Sequence, residues 1–189
     1  YVGALLLSDK IKDDSVSAIR HLRNIGIENI YLLSGDKEEV VKEYAGKLGI
    51  TAAYGGLLPE DKAYCIEKLI NQDHRNVAFV GDGMNDAPVL ALSNVGIAMG
   101  GLGSDAAVES ADIVIQNDRP SKIVTAIKIG RTTGTIVREN IIGAIAIKII
   151  VLIAGAMGDV SLWVAVFADV GVALLAVLNS LRILYKKYD

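Results

Sequence analysis

Hydrophobic and polar positions follow three regimes along this chain. Up to about residue 119, short apolar runs alternate with stretches whose apolar residues recur every three or four positions. The runs at 2–7, 29–33, 51–54, 77–80, 95–98 and 113–115 predict strands, and the unbroken apolar run 77–80 suits burial on both faces. Asp13-Asp14-Ser15 opens a helix carrying Val16, Ile19, Leu22 and Arg23 at helical spacing, with Gly26 as its stop. Further helices are expected over 37–48, ended by Gly49, and over 59–70, with Pro59 in the first turn. Another is expected from Ala87. Strands alternating with helices predict an α/β domain built on a parallel sheet covered on both faces.

From Pro120 the period is helical. Ile123, Ile127 and Ile136 alternate with exposed Lys122, Lys128, Arg131 and Arg138, the pattern of an amphipathic stalk. After Asn140 the only charges are Lys148, Asp159, Asp169, Arg182, Lys186, Lys187 and Asp189. The runs 141–157 and 160–181 read as a transmembrane helical hairpin turning at Gly158-Asp159. They reach roughly 25 and 33 Å at helical rise, near the hydrocarbon thickness of a bilayer. The expected divisions are therefore 1–119, 120–139 and 140–189. Cations before the first span and after the second predict a multi-pass membrane protein with both ends of this stretch cytoplasmic.

Lys148 and Asp169 lie inside the spans, equally far from the turn. An antiparallel hairpin puts them level, about 16 Å from it and near the midplane. Intramembrane charges cost about 2.5–3.5 kcal/mol on insertion scales and usually serve function. A transport site, a structural ion pair and a proton relay all remain open readings of the two residues. Asn179 and Ser180 suit hydrogen bonds between the helices.

Composition narrows the classes. A net charge of −3 gives no basic excess for nucleic acid. The lone Cys65 excludes an internal disulfide or a cysteine-rich metal cluster. His21 and His74 are distant in sequence and read as surface residues. The chain starts at Tyr1 with no signal pattern, which suggests a piece of a longer protein.

The densest chemistry is Gly81-Asp82-Gly83-Met84-Asn85-Asp86-Ala87-Pro88, directly after a strand. Two carboxylates, an amide and glycine backbone at a strand end suit a divalent cation beside a phosphate, and Mg²⁺ accepts such sparse ligation. Ser34-Gly35-Asp36 ends another strand, and Lys62 opens the helix after Pro59. Alone, the first is an N-cap turn and the second a solvated lysine. At the carboxyl ends of parallel strands they converge on one crevice.

In this order, Ser34-Gly35-Asp36, Pro59-x-x-Lys62 and the loop from Gly81 to Pro88 resemble the phosphorylation domain of P-type ATPases. That domain belongs to the haloacid-dehalogenase-like superfamily, with a Rossmannoid parallel sheet. Val95-Gly-Ile-Ala-Met-Gly100, Ser104-Asp105 and Ala111-Asp112-Ile-Val114 are similar to the family's continuation. Ser34 stands where the family commonly has Thr and keeps the hydroxyl. The family's nucleophilic Asp-Lys-Thr-Gly-Thr motif is absent: Ser8-Asp9-Lys10-Ile11 is not it, and Arg131-Thr-Thr-Gly-Thr135 lacks the Asp-Lys. The nucleotide-binding insertion is absent as well. The resemblance thus implies the carboxyl-terminal portion of a longer pump, inactive as an isolated chain.

What the resemblance implies for the site follows residue by residue. Asp82 and Asp86 would form the Mg²⁺ site, with Gly83 and Asn85 in the phosphate surroundings. Ser34, Gly35 and Asp36 would serve the phosphoryl group donated by ATP, and Lys62 would neutralise its growing charge. Asn140 with seven residues before Lys148, and Asp169-Val-Gly171, resemble the membrane signatures of the zinc/cadmium/lead branch of heavy-metal P-type ATPases. Copper-pump signatures with Tyr-Asn and Met are not seen, and the branch's Cys-Pro-Cys would lie upstream. Asp169 would then ligate Zn²⁺, Cd²⁺ or Pb²⁺ during export, with Lys148 as its counter-charge when the metal leaves. The expected partners are that ion, membrane lipid and upstream pump domains. Two other classes stay open: a membrane-tethered phosphatase using another chain's nucleophile, and a catalytically dead regulatory membrane protein.

Overall fold

The computed structural model describes residues 10–71, 76–82, 84–100, 105–158 and 161–188. The strand expected at 2–7, His74, Gly83, Ser104 and Asp159 lie outside them. Contacts divide the chain into two units, 1–124 and 125–189, so the division falls within one long helix.

In the first unit, α1 (Ser15–Asn24), β1 (Tyr31–Leu33), α2 (Glu38–Leu48), β2 (Ala52–Tyr54) and α3 (Pro59–Asn71) follow the expected order. Next come β3 (Ala78–Gly81), a 3₁₀ turn over Met84–Asp86, α4 (Ala87–Leu92), β4 (Val95–Met99), α5 (Asp105–Ser110) and β5 (Ile113–Ile115). Turn chemistry ends the helices where the sequence placed the stops. Gly49, at φ 70°, closes α2 while Ile50 N–H reaches back to Ala45 O at 2.8 Å, a Schellman arrangement.

All strand pairs are parallel, as the alternation predicts. Among the described residues they form two sheets, β1–β2 and β3–β4–β5, where one sheet was expected. No described strand hydrogen-bonds to both β1 and β3; side chains link them instead. Leu33, at the end of β1, packs on the buried cluster of Ile66, Phe79, Val89 and Leu90 contributed by α3, β3 and α4. The inner strand β4 is buried from Gly96 to Met99, and Ile97 and Met99 pack with Ile115 and with Ile123 at the start of the last helix of this unit. α5 was not foreseen; its six residues are too few to show a helical period.

That last helix, α6 (Ser121–Ala156), runs for 36 residues, about 54 Å. The expected stalk and first span are thus one helix, with no break at 139/140, because no proline follows Pro120 within it and the Asn140 side chain bonds to α7. Its first turn is held from far upstream. Asp14 Oδ2 accepts from the Ser121 N–H at 3.1 Å, which holds the Asp14 carboxyl below its ordinary value. Lys12 pairs with Asp118 at 2.6 Å beside it.

In the second unit, α7 (Leu162–Tyr185) starts at Ser161, whose Oγ accepts from the Val164 N–H at 3.4 Å. Among the described residues one helix is long and apolar enough to cross a membrane, over Val166–Tyr185. The expectation was two. The apolar part of α6, residues 141–156, reaches only about 24 Å before Ala156 ends it. It nevertheless exposes Ile142, Ile150, Leu152 and Ile153, so its surface is as apolar as that of α7.

Candidate functional site

The phosphate-type constellation is built at the carboxyl end of β3. Phe79 anchors the strand in the core, Gly81 ends it, and the chain passes through exposed Asp82 into the 3₁₀ turn. Pro88 sets the first turn of α4, whose Val89 and Leu90 are fully buried. That anchoring directs Asp86 back over Gly81. A Cβ on Gly81 would lie 2.9 Å from both Cβ and Oδ2 of Asp86.

Lys62 comes from α3. Asp61 Oδ2 accepts from the Leu58 N–H at 2.9 Å and fixes the start of the helix, and Ile66, one turn on, is buried in the same core as Phe79. The Lys62 ammonium meets Asp86 Oδ1 at 2.8 Å, with the two side chains only 16% and 14% exposed. A charge pair this sheltered is screened far less than a surface pair.

At the end of β1, Ser34 Oγ donates to Asp36 Oδ2 at 3.0 Å and accepts from the Asp36 N–H at 3.2 Å. Ser34 N–H donates to Tyr54 O and Leu57 N–H to Ser34 O, each at 3.0 Å, so the turn is tied to the end of β2. The structure thus joins Lys62 with Asp86, and Ser34 with Asp36. Both pairs sit at carboxyl ends of parallel strands, each held by its own bonds. Asp82 and Asn85 are exposed, and Gly83 is outside the described residues.

The expected Mg²⁺ ligands differ in their commitments. Asp86 already holds a cation through Oδ1, so it is the partner of Lys62. Asp82 has an accessible carboxylate. Among the described residues no group of three or more His, Cys, Asp or Glu gathers to cage a metal. One carboxylate at a phosphate-type strand end fits Mg²⁺, which takes few protein ligands and completes its shell with phosphate oxygens and water.

The second candidate lies between α6 and α7. Lys148 Nζ approaches Asp169 Oδ1 at 3.0 Å, so the two charges do sit level on antiparallel helices. Eight residues earlier on α6, Asn140 donates to Ala176 O at 3.2 Å and Ser180 Oγ at 3.1 Å, and accepts from Asn179 at 2.9 Å. Asn179 and Ser180 are the interhelical residues the sequence suggested. The ladder also contains Glu139 and Arg182, paired at 3.1 Å, which sequence reasoning missed. Their signal was only one of opposite charge: Glu139 and Arg182 flank the turn, though not symmetrically about it as Lys148 and Asp169 do.

Residues 1–94 match the haloacid dehalogenase-like hydrolase family. Over 184 residues, 97% of this chain, the sequence is 51% identical to a zinc-transporting ATPase of Synechocystis sp., of which it covers 26%. It is 47% identical over 189 residues to a cadmium, zinc and cobalt-transporting ATPase of Bacillus subtilis, covering 99% of this chain and 27% of that protein. The crystal structure of a zinc-transporting PIB-type ATPase in its E2.Pi state matches 93% of the chain and 28% of its own length. The TM-score is 0.86 and the identity 38%. The chain spans about a quarter of the length of the curated relatives it matches. Sequence, motif order and fold agree, and the chain belongs to the heavy-metal P-type ATPases.

Proposed function

We propose that this chain is the carboxyl-terminal part of an ATP-driven exporter of divalent heavy-metal cations, Zn²⁺, Cd²⁺ or Pb²⁺, residing in the cell membrane with both ends of the α6–α7 hairpin cytoplasmic. The observation that carries the reading is the Lys148–Asp169 pair within the otherwise apolar stretches 141–156 of α6 and 162–178 of α7. Two charges that each resist insertion are costly in an apolar hairpin, and a charged cargo gives them work. Asp169 offers an oxygen donor to a borderline ion, and Lys148 takes its place when the ion departs.

The cytoplasmic end supplies the energy. The nucleophilic aspartate belongs to the upstream part of the protein. Ser34 presents its hydroxyl to a phosphoryl oxygen. Lys62, aimed by Asp86, balances negative charge gathering there during transfer. Asp82 would hold Mg²⁺, which when bound neutralises charge on the phosphoryl oxygens. Phosphoryl transfer of this kind needs placed charges more than covalent chemistry from the protein.

The test is made in the intact protein. Wild type should hydrolyse ATP in response to zinc or cadmium. Asp82→Asn should nearly abolish acyl-phosphate labelling from ATP, since the lost carboxylate is worth several kcal/mol of charge stabilisation. Membrane insertion should be unchanged. Normal labelling in that variant would remove Asp82 from the Mg²⁺ site.

A further inference from the structure

Apart from Lys148 and Asp169, residues 141–156 of α6 and 162–178 of α7 are all apolar. Faces of Ile, Val, Leu and Ala pack about as well when one helix slides along the other, so they specify register weakly. Register matters here nevertheless. Asp169 is the only acid in the α7 sequence, and a slip of three residues either way would bring Val166 or Val172 level with Lys148 in its place. Lys148 reaches Asp169 on a flexible four-carbon stem, and the two side chains are 66% and 67% exposed, so the pair by itself tolerates a slip.

Firmer bonds lie nearer the carboxyl end of α7. Asn179 donates across to Asn140 Oδ1 at 2.9 Å and to Glu139 Oε2 at 3.2 Å, while its own Oδ1 accepts from Arg182 at 2.7 Å. Arg182 closes the ring on Glu139 at 3.1 Å, and Asn140 donates back to Ala176 O and Ser180 Oγ. Both carboxamides therefore use their N–H groups and their oxygen in joining the helices, which is the work of a clamp. A slip of one turn would break these bonds together and strand the amides. One polar amide in an apolar helix seam fixes register in this way. Asn179 lies about 15 Å along α7 from Asp169, so it acts on the pair only through register. We infer that Asn179 is a positioning residue for the transport site: its clamp on α6 keeps Asp169 level with Lys148, without touching the metal. This rests on reading that pair as the transport site.

The experiment uses the full-length protein, purified in detergent. The KM for zinc and the kcat of ATP hydrolysis are measured beside phosphorylation from inorganic phosphate and the melting temperature. Asn179→Leu keeps the volume and removes the polar atoms of the clamp. Its KM for zinc should rise about ten- to a hundredfold, the usual effect of losing a group that orients a metal ligand. Phosphorylation from inorganic phosphate should stay at the wild-type level. Asn179→Gln retains the amide and should recover most of the lost affinity. A residue that only holds the helices together would lower the melting temperature and leave KM where it was. That result, or a Gln variant as weak as the Leu variant, would overturn the inference. If Asn179→Leu does not accumulate in membranes, Asn179→Ser, whose shorter side chain gives up the reach to α6, is judged by the same readings. Asp169→Ala separates the two levels of the argument. Zinc-stimulated hydrolysis unchanged in Asp169→Ala would bring down the transport site itself. Stimulation lost there, with a wild-type KM in Asn179→Leu, would bring down the positioning role alone.

Discussion

Gly81 lacks a side chain because Asp86 fills the space one would take. An added methyl would meet Asp86 Cβ and Oδ2 at 2.9 Å and Phe79 Cε1 at 3.1 Å, and Phe79 is held in the core. Asp86 has to yield, and Lys62 then loses its partner inside a sheltered pocket. Gly81→Ala in the intact protein should slow acyl-phosphate formation from ATP by about a hundredfold, the usual consequence of misplacing a charged group by an ångström. It touches neither the nucleophile nor Asp82. An autophosphorylation rate close to wild type would show that the Lys62–Asp86 contact does not matter to the reaction. At this scale the residue types were legible in the sequence, and their pairing was not. Both aspartates of the Gly81–Pro88 loop look alike in a one-dimensional motif. Only the 3₁₀ turn and the anchored α4 turn Asp86 inward and leave Asp82 exposed.

α6 shows what periodicity conveys about an element and what it omits. Its start after Pro120 and its change from amphipathic to wholly apolar were readable, since both are local patterns. Its unbroken course through 139/140 was hidden, because a change of composition resembles a boundary while the backbone has no reason to stop. The cap from Asp14 was hidden for a different reason: 107 residues of chain separate donor and acceptor. That cap is testable. Asp14→Ala leaves the Ser121 N–H without its side-chain acceptor and should cost about 1 kcal/mol near neutral pH. It should also speed amide hydrogen exchange in the first turn of α6. The folded-state carboxyl lies below its ordinary value of 3.8, so its contribution is complete above that value and fades as pH falls through the lowered one. The stability gap between wild type and variant, measured by thermal unfolding, should therefore close in strong acid. A gap that persisted there would mean the side chain acts by packing and not by its charge.

On the scale of the whole molecule, the chain carries the Lys62–Asp86 and Ser34–Asp36 strand-end pairs in one unit and a charge pair in an apolar hairpin in the other, and the nature of that last pair decides whether the second unit transports or only holds together. Among the side-chain links that fix the register of α6 on α7 are Lys186 to Thr132, Asn179 to Asn140, and Lys148 to Asp169. The first two need no cargo to explain them, since amides and hydroxyls between helices hydrogen-bond on their own account. The third is open to two readings, because an ion pair can either clasp the helices or serve a charged cargo. If the pair were only structural, removing one partner would strand the other, at a cost of about 2.5–3.5 kcal/mol, and removing both would restore the hairpin. If Asp169 is a transport ligand, Asp169→Ala should abolish zinc-stimulated ATP hydrolysis in the intact protein and lower its bound-metal stoichiometry. Phosphorylation from inorganic phosphate, which depends on the other unit, should survive. The double variant Lys148→Ala with Asp169→Ala then separates the two cases. A transport site predicts recovered expression and stability, with no metal bound between the helices and no metal-stimulated turnover. Zinc binding and turnover at wild-type levels in that double variant would end the assignment of Asp169 as a ligand and leave the pair as a structural clasp.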